Sequence, residues 1–166
     1  MRRTLVVLTV AVATMAPLVP AHAAEPPTVV RFGPTVTIDL GNLADAVGAP
    51  VCDFPVDGVV RAIASGHEIL FNGQGVAYSA FTAGALIFTL TNMDTGKSIT
   101  VNASGPGYLD ATGLPVIGYG PWVVFEPIAD GGLGYYRGKT RFVPAPYGFH
   151  AISVSGTAVN LCDRLA

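Results

Sequence analysis

The sequence predicts an all-β protein: a single antiparallel β-sandwich or flattened β-barrel of about nine short strands. Three observations point there. Apolar residues alternate with period two along most of the chain, 20 Gly and 13 Pro punctuate that alternation, and helical spacing is almost absent. The chain has 166 residues, 51% hydrophobic and 12% charged. That length suits one domain, and that composition excludes a disordered chain, which combines low hydrophobicity with high net charge. The glycines follow no triplet period, so a collagen-like helix is excluded too.

Residues 1–23 read as a secretory signal peptide. Arg2 and Arg3 form a positive start, an uncharged Leu/Val/Ala-rich run follows, Pro20 breaks it, and Ala21-His22-Ala23 gives a small-x-small cleavage site. A retained membrane anchor is the weaker reading, because the apolar run is short for a span. No other run of that kind occurs, so no membrane span is expected after signal removal. Removal takes two of the nine basic residues, leaving seven against 11 acids. An acidic chain lacks the basic footprint of a nucleic-acid binder. Lys97 and Lys139 are the only lysines, a composition that suits a GC-rich bacterium such as an actinobacterium. The expected location is extracellular, with cell-envelope association as a further expectation.

Residues 24–50 form a lead-in with a strand and a short helix, and residues 51–166 form the β-domain. Leu40, Leu43, Ala44 and Val47 fall at helical spacing, with Asp39 as the expected cap and Gly48 as the stop. Strands are expected over 29–32, 56–64, 68–71, 76–82, 86–91, 98–103, 121–126, 135–143 and 149–159. The clearest hairpin joins the fifth and sixth, because Asn92-Met93-Asp94-Thr95-Gly96 supplies turn residues between two alternating runs. Long loops are expected over 105–120 and 127–134. Cys52 and Cys162 are the only cysteines. In an exported chain they are expected to pair, closing almost the whole domain.

The chemical motifs are sparse. No G-x-S-x-G elbow, H-E-x-x-H pair or phosphate loop is present, and two isolated cysteines do not make a zinc site. Gly73-Gln74-Gly75 joins strands rather than a strand to a helix, so it fails the phosphate-loop context. His67 and His150 have no nucleophile in a recognisable motif and read as structural. Asp53, Asp57, Glu68, Asp110 and Glu126 are scattered singly, which gives no acid–base pair from sequence. No cofactor and no metal are expected.

Two features point to binding instead. Arg137, Lys139 and Arg141 alternate on one strand and therefore share a face. They make an anion-binding row, or else an ordinary solvated face with acids on neighbouring strands. Tyr136, Thr140 and Phe142 would take the opposite, core face. Aromatic residues crowd between 119 and 149, and Tyr119, Trp122, Tyr135 and Tyr147 are candidates for a flat sugar-stacking platform, or else for core packing. The expected function is a non-enzymatic extracellular module for a glycan, polymer or protein partner. The alternatives are an envelope-associated structural or adhesive protein, and an enzyme whose site is assembled from dispersed residues.

Three segments carry a resemblance: Cys52-Asp53-Phe54-Pro55-Val56, the run from Leu90 to Ser98, and Val101-Asn102-Ala103-Ser104-Gly105-Pro106-Gly107. With the closing Val154-Ser155-Gly156 and Leu161-Cys162, they resemble a group of small, uncharacterised secreted actinobacterial β-rich proteins. The resemblance implies export, a β-rich fold and a terminal disulfide, and it carries over no catalytic residue.

Overall fold

Alternating segments pair as antiparallel strands in two sheets. The computed structural model describes residues 28–31, 35–62, 67–73, 76–82, 85–110 and 114–166. A seven-stranded sheet has the order β1 (Thr28–Arg31), β4 (His67–Gly73), β5 (Val76–Thr82), β8 (Gly107–Leu109), β9 (Pro115–Phe125), β10 (Leu133–Ala145), β11 (Gly148–Asn160). A four-stranded sheet has the order β2 (Val36–Asn42), β3 (Val56–Ala62), β6 (Leu86–Asn92), β7 (Ser98–Asn102). Two one-turn helices complete the described chain, α1 (Leu43–Val47) and α2 (Cys162–Leu165), together with a 3-10 turn at Ile128–Asp130.

The core lies between the small sheet and one end of the large one. Val56, Val60, Phe88, Leu90 and Val101 face Val123, Leu133 and Tyr135, and Leu43, Leu161 and Leu165 close the sides. Phe88 meets Phe125 edge-on with ring centroids 5.7 Å apart. Each such leucine or phenylalanine, removed from water, contributes about 1.5–3 kcal/mol. Cys52 and Cys162 are bonded across a Cα–Cα distance of 5.6 Å, 110 residues apart in sequence. The bond ties α2 to the segment before β3. Asn92 adds a second tie: its Nδ2 donates to the Leu165 carbonyl, and its Oδ1 accepts from Asp94 and Thr95 in the β6–β7 turn. Gly96 takes φ +73° in that turn, the left-handed conformation that glycine accepts without strain.

β9, β10 and β11 are 11, 13 and 13 residues long, against five to seven in the small sheet. They therefore run past the edge of the core. Gly120, Gly138 and Gly156 lie side by side across all three, and all have positive φ. A Cβ on Gly138 would collide with the Ser155 carbonyl oxygen, and one on Gly156 with that of Arg137. Glycine in a strand interior marks a tight bend or close backbone approach, and this row allows both. Below it, Leu133 and Tyr135 are buried against the small sheet; above it, Lys139 and Arg141, at the same strand parity, are exposed.

The two-sheet, all-β architecture agrees with the expected sandwich, with corrections. There are eleven described strands rather than about nine. β2 occupies residues expected to be lead-in and helix, because Val36, Thr37 and Ile38 pair with Ala62, Arg61 and Val60 of β3. The helix therefore starts at Leu43, capped by Asn42 instead of Asp39 and stopped by Gly48 at φ +78°. Within the stretch expected as a lead-in, β2 belongs to the small sheet. The expected loop over 105–120 contains β8 and half of β9. The expected loop over 127–134 contains the 3-10 turn and the start of β10, and α2 was not anticipated. The signal peptide, the ends of the strands expected at 29–32 and 56–64, and Gln74-Gly75 lie outside the described residues.

Candidate functional site

The exposed end of the large sheet carries the three cations. Cross-strand partners share a face in an antiparallel sheet, so the register names their neighbours. On β11, Arg137, Lys139 and Arg141 oppose Thr157, Ser155 and Ser153; on β9 they oppose Pro121, Tyr119 and Ile117. Every flanking residue on β11 carries a hydroxyl, and none on either side is an acid. Among the described residues none of the three cations forms an ion pair.

Aromatic rings position two of the cations without neutralising them. The Arg137 guanidinium lies 5.2 Å from the Tyr135 ring centroid, and Lys139 Nζ lies 6.0 Å from that of Tyr119. Contacts of this kind at exposed sites are worth about 0.5–1 kcal/mol. Arg137 also donates from Nε and Nη2 to the Tyr135 hydroxyl, which itself donates to the Asn102 carbonyl. Tyr108 meets Tyr119 edge-on at 6.2 Å, and the two are 40% and 39% exposed. Lys139, Arg141, Ser153, Ser155 and Thr157 are exposed, so the face carrying these groups is open.

The four aromatics expected to form one platform are not brought together. Tyr119 lies on the open face. Tyr135 shares its strand parity but is 6% exposed, because it sits below the glycine row in the core. Trp122 is on the opposite face, laid over Gly107 and Gly118 and packed against Phe142 at 5.3 Å. A Cβ on either glycine would occupy the space of its indole. Tyr147 is in the β10–β11 turn, where its hydroxyl donates to Asp130 Oδ2. Desolvation and that hydrogen bond push its phenol up to about 12. Thr140 and Phe142 are buried on the opposite face, and Tyr136 is half-buried there.

One ion pair is found among the described residues. Glu126, 1% exposed, accepts the Ala151 N–H on Oε1, and its Oε2 lies 3.2 Å from His150 Nδ1. Ala151 adjoins the β-bulge where the β10–β11 register shifts past Ile152. Burial pushes the Glu126 carboxyl above its ordinary 4.5, opposed by the Ala151 amide and by His150. The pair thus binds a bulge amide, a structural task. An apolar cleft of about 250 Å³ beside Cys52 includes Asp53 and Phe54 in its lining. Among the described residues no group of three His, Cys, Asp or Glu side chains is placed to hold a metal ion.

Sequence reasoning missed Tyr108, which lay in an expected loop, and the hydroxyl row on β11, whose pairing depends on a register not readable from one strand. No family model, curated protein or solved structure matches the chain.

Proposed function

We propose that the chain is an exported, non-enzymatic binding module that holds an anionic polymer, a sulfated or phosphate-rich glycan in class, on the open face of β8–β11. One observation carries this reading: Arg137, Lys139 and Arg141 are flanked by hydroxyl, aromatic and apolar residues, and by no acid. An ordinary solvated strand would place compensating carboxylates there. Alternate residues along a strand stand about 7 Å apart, so the row presents a line of charge suited to an extended chain. The signal-like residues 1–23, the disulfide and the resemblance to secreted actinobacterial proteins support export. Intact mass of the mature protein tests that part, with Ala24 as the expected first residue.

Each exposed ionic contact is worth about 0.2–1 kcal/mol. Three together change affinity about three- to a hundredfold. The native protein is expected to be retained on dextran-sulfate resin, to pass through neutral dextran, and to elute as salt rises past about 0.15 M, where screening acts over roughly 8 Å. The triple variant Arg137→Gln/Lys139→Gln/Arg141→Gln is expected to pass through both. Equal retention of that variant would overturn the proposal.

A further inference from the structure

A second cationic feature lies where the open face meets α2. A cleft of about 200 Å³ is lined by Tyr135, Arg137, Thr157, Val159 and Arg164. Its floor is a two-by-two square of cross-strand partners: Arg137 opposite Thr157, and Tyr135 opposite Val159. Arg164 enters from α2. From this geometry we infer that the cleft is a discrete site for one tetrahedral oxyanion, a phosphate or sulfate group, held between Arg137 and Arg164 with the Thr157 hydroxyl as a third donor.

Three features support the inference. Two arginines line one small cleft, and neither forms an ion pair among the described residues. Guanidinium is the side chain best shaped for paired hydrogen bonds to phosphate and carboxylate oxygens. Arg137 is oriented by its two hydrogen bonds to the Tyr135 hydroxyl, which leaves Nη1 free of that contact. Arg164 is carried by a helix fixed on both sides: Cys162 is bonded to Cys52, Leu161 and Leu165 are fully buried, and Asn92 holds the Leu165 carbonyl. A preorganised donor set loses less freedom on binding. Size limits the ligand, because pockets for drug-sized molecules measure about 300–1,000 Å³. The cleft suits one charged group or one substituted sugar, and donors arriving from β10, β11 and α2 suit a tetrahedral anion better than a planar one.

The site deepens the anionic-polymer reading, as the place where one substituent of the polymer would be seated, but its failure is separable from that of the reading. The experiment is an NMR titration of the full mature protein with inorganic phosphate, sulfate and acetate, following the arginine Nε–H and backbone amide signals. Saturable shifts at Arg137, Arg164 and Thr157 are expected with phosphate or sulfate, and the tighter of the two identifies the source. Arg164→Gln and Thr157→Val are expected to weaken binding, the former about tenfold, as loss of a hydrogen bond to a charged group implies. Both sit at exposed positions, so the dispersed spectrum of the fold serves as the folding control. Lys139→Gln/Arg141→Gln is expected to keep the cleft response while losing dextran-sulfate retention. Unchanged affinity in Arg164→Gln, shifts spread evenly over all cations, or acetate bound as tightly as phosphate would overturn the inference. Cleft binding without polymer retention would sink the broader proposal and leave this site standing.

Discussion

Replacing Cys52 and Cys162 together by alanine tests how the fold depends on its one crosslink. The bond closes a loop of 110 residues. In the chain-entropy model a loop of about that size restricts the unfolded chain by roughly 5 kcal/mol at 25 °C. Part of α2 stays anchored without the bond, because Leu161 and Leu165 remain buried and Asn92 still holds the Leu165 carbonyl. The variant should therefore fold with α2 docked, but with stability lower by about 3–5 kcal/mol, a range that allows for the partial shortfall seen when disulfides are removed or added. Urea unfolding followed by the single tryptophan, Trp122, gives the midpoint and slope. In a domain of this size the same loss lowers Tm by roughly 10–20 °C. A loss under about 1 kcal/mol would refute the reasoning, since it would mean the unfolded chain is already restricted without the bond.

Further outcomes concern the glycine row and the buried acid. Gly138→Ala should destabilise the protein by at least about 2 kcal/mol, because the new Cβ meets the Ser155 carbonyl at a φ of +118°; a urea midpoint equal to that of the native protein would show that the close approach at Gly138 does not constrain the strands. Glu126 has its carboxyl held above 4.5, so its ionisation opposes folding: its contribution is full below the ordinary carboxylate range and is lost as pH rises through the raised value. Glu126→Gln keeps a carbonyl for the Ala151 amide and removes the titration. The variant's stability should thus fall less than the native protein's as pH is raised from about 4, and parallel curves would exclude Glu126 as the source.

Much of the fold is legible in the sequence because the governing signals are local. Period-two alternation with turn residues places β5, the β6–β7 hairpin, β10 and β11, and the export context pairs Cys52 with Cys162. What is missed depends on partners far along the chain. Leu40 has helical spacing relative to Leu43 and Val47, yet it joins β2 because β3 offers that strand a ladder. Gly118 and Gly120 read as a loop, but Trp122 lies over Gly118 and the strand continues through Gly120 at φ +81° without ending. The same glycine row lies between buried Tyr135 and exposed Lys139, although both have one strand parity. Parity alone places Arg137, Lys139 and Arg141 on one face, but it could not show that Ser153, Ser155 and Thr157 flank them. Arg164 follows the second cysteine in sequence, and only the docking of α2 brings it beside Arg137 and Thr157.

The sheet beyond the glycine row is proposed to be an open anion-binding face. Its most direct test is a residue-by-residue NMR map of the mature protein titrated with a short sulfated dextran at low salt. The expected perturbations centre on Tyr108, Tyr119, Lys139, Arg141, Ser153 and Ser155, with the four-stranded sheet silent. Shifts centred on β2, β3, β6 and β7, or no shifts at any polymer concentration, would contradict it.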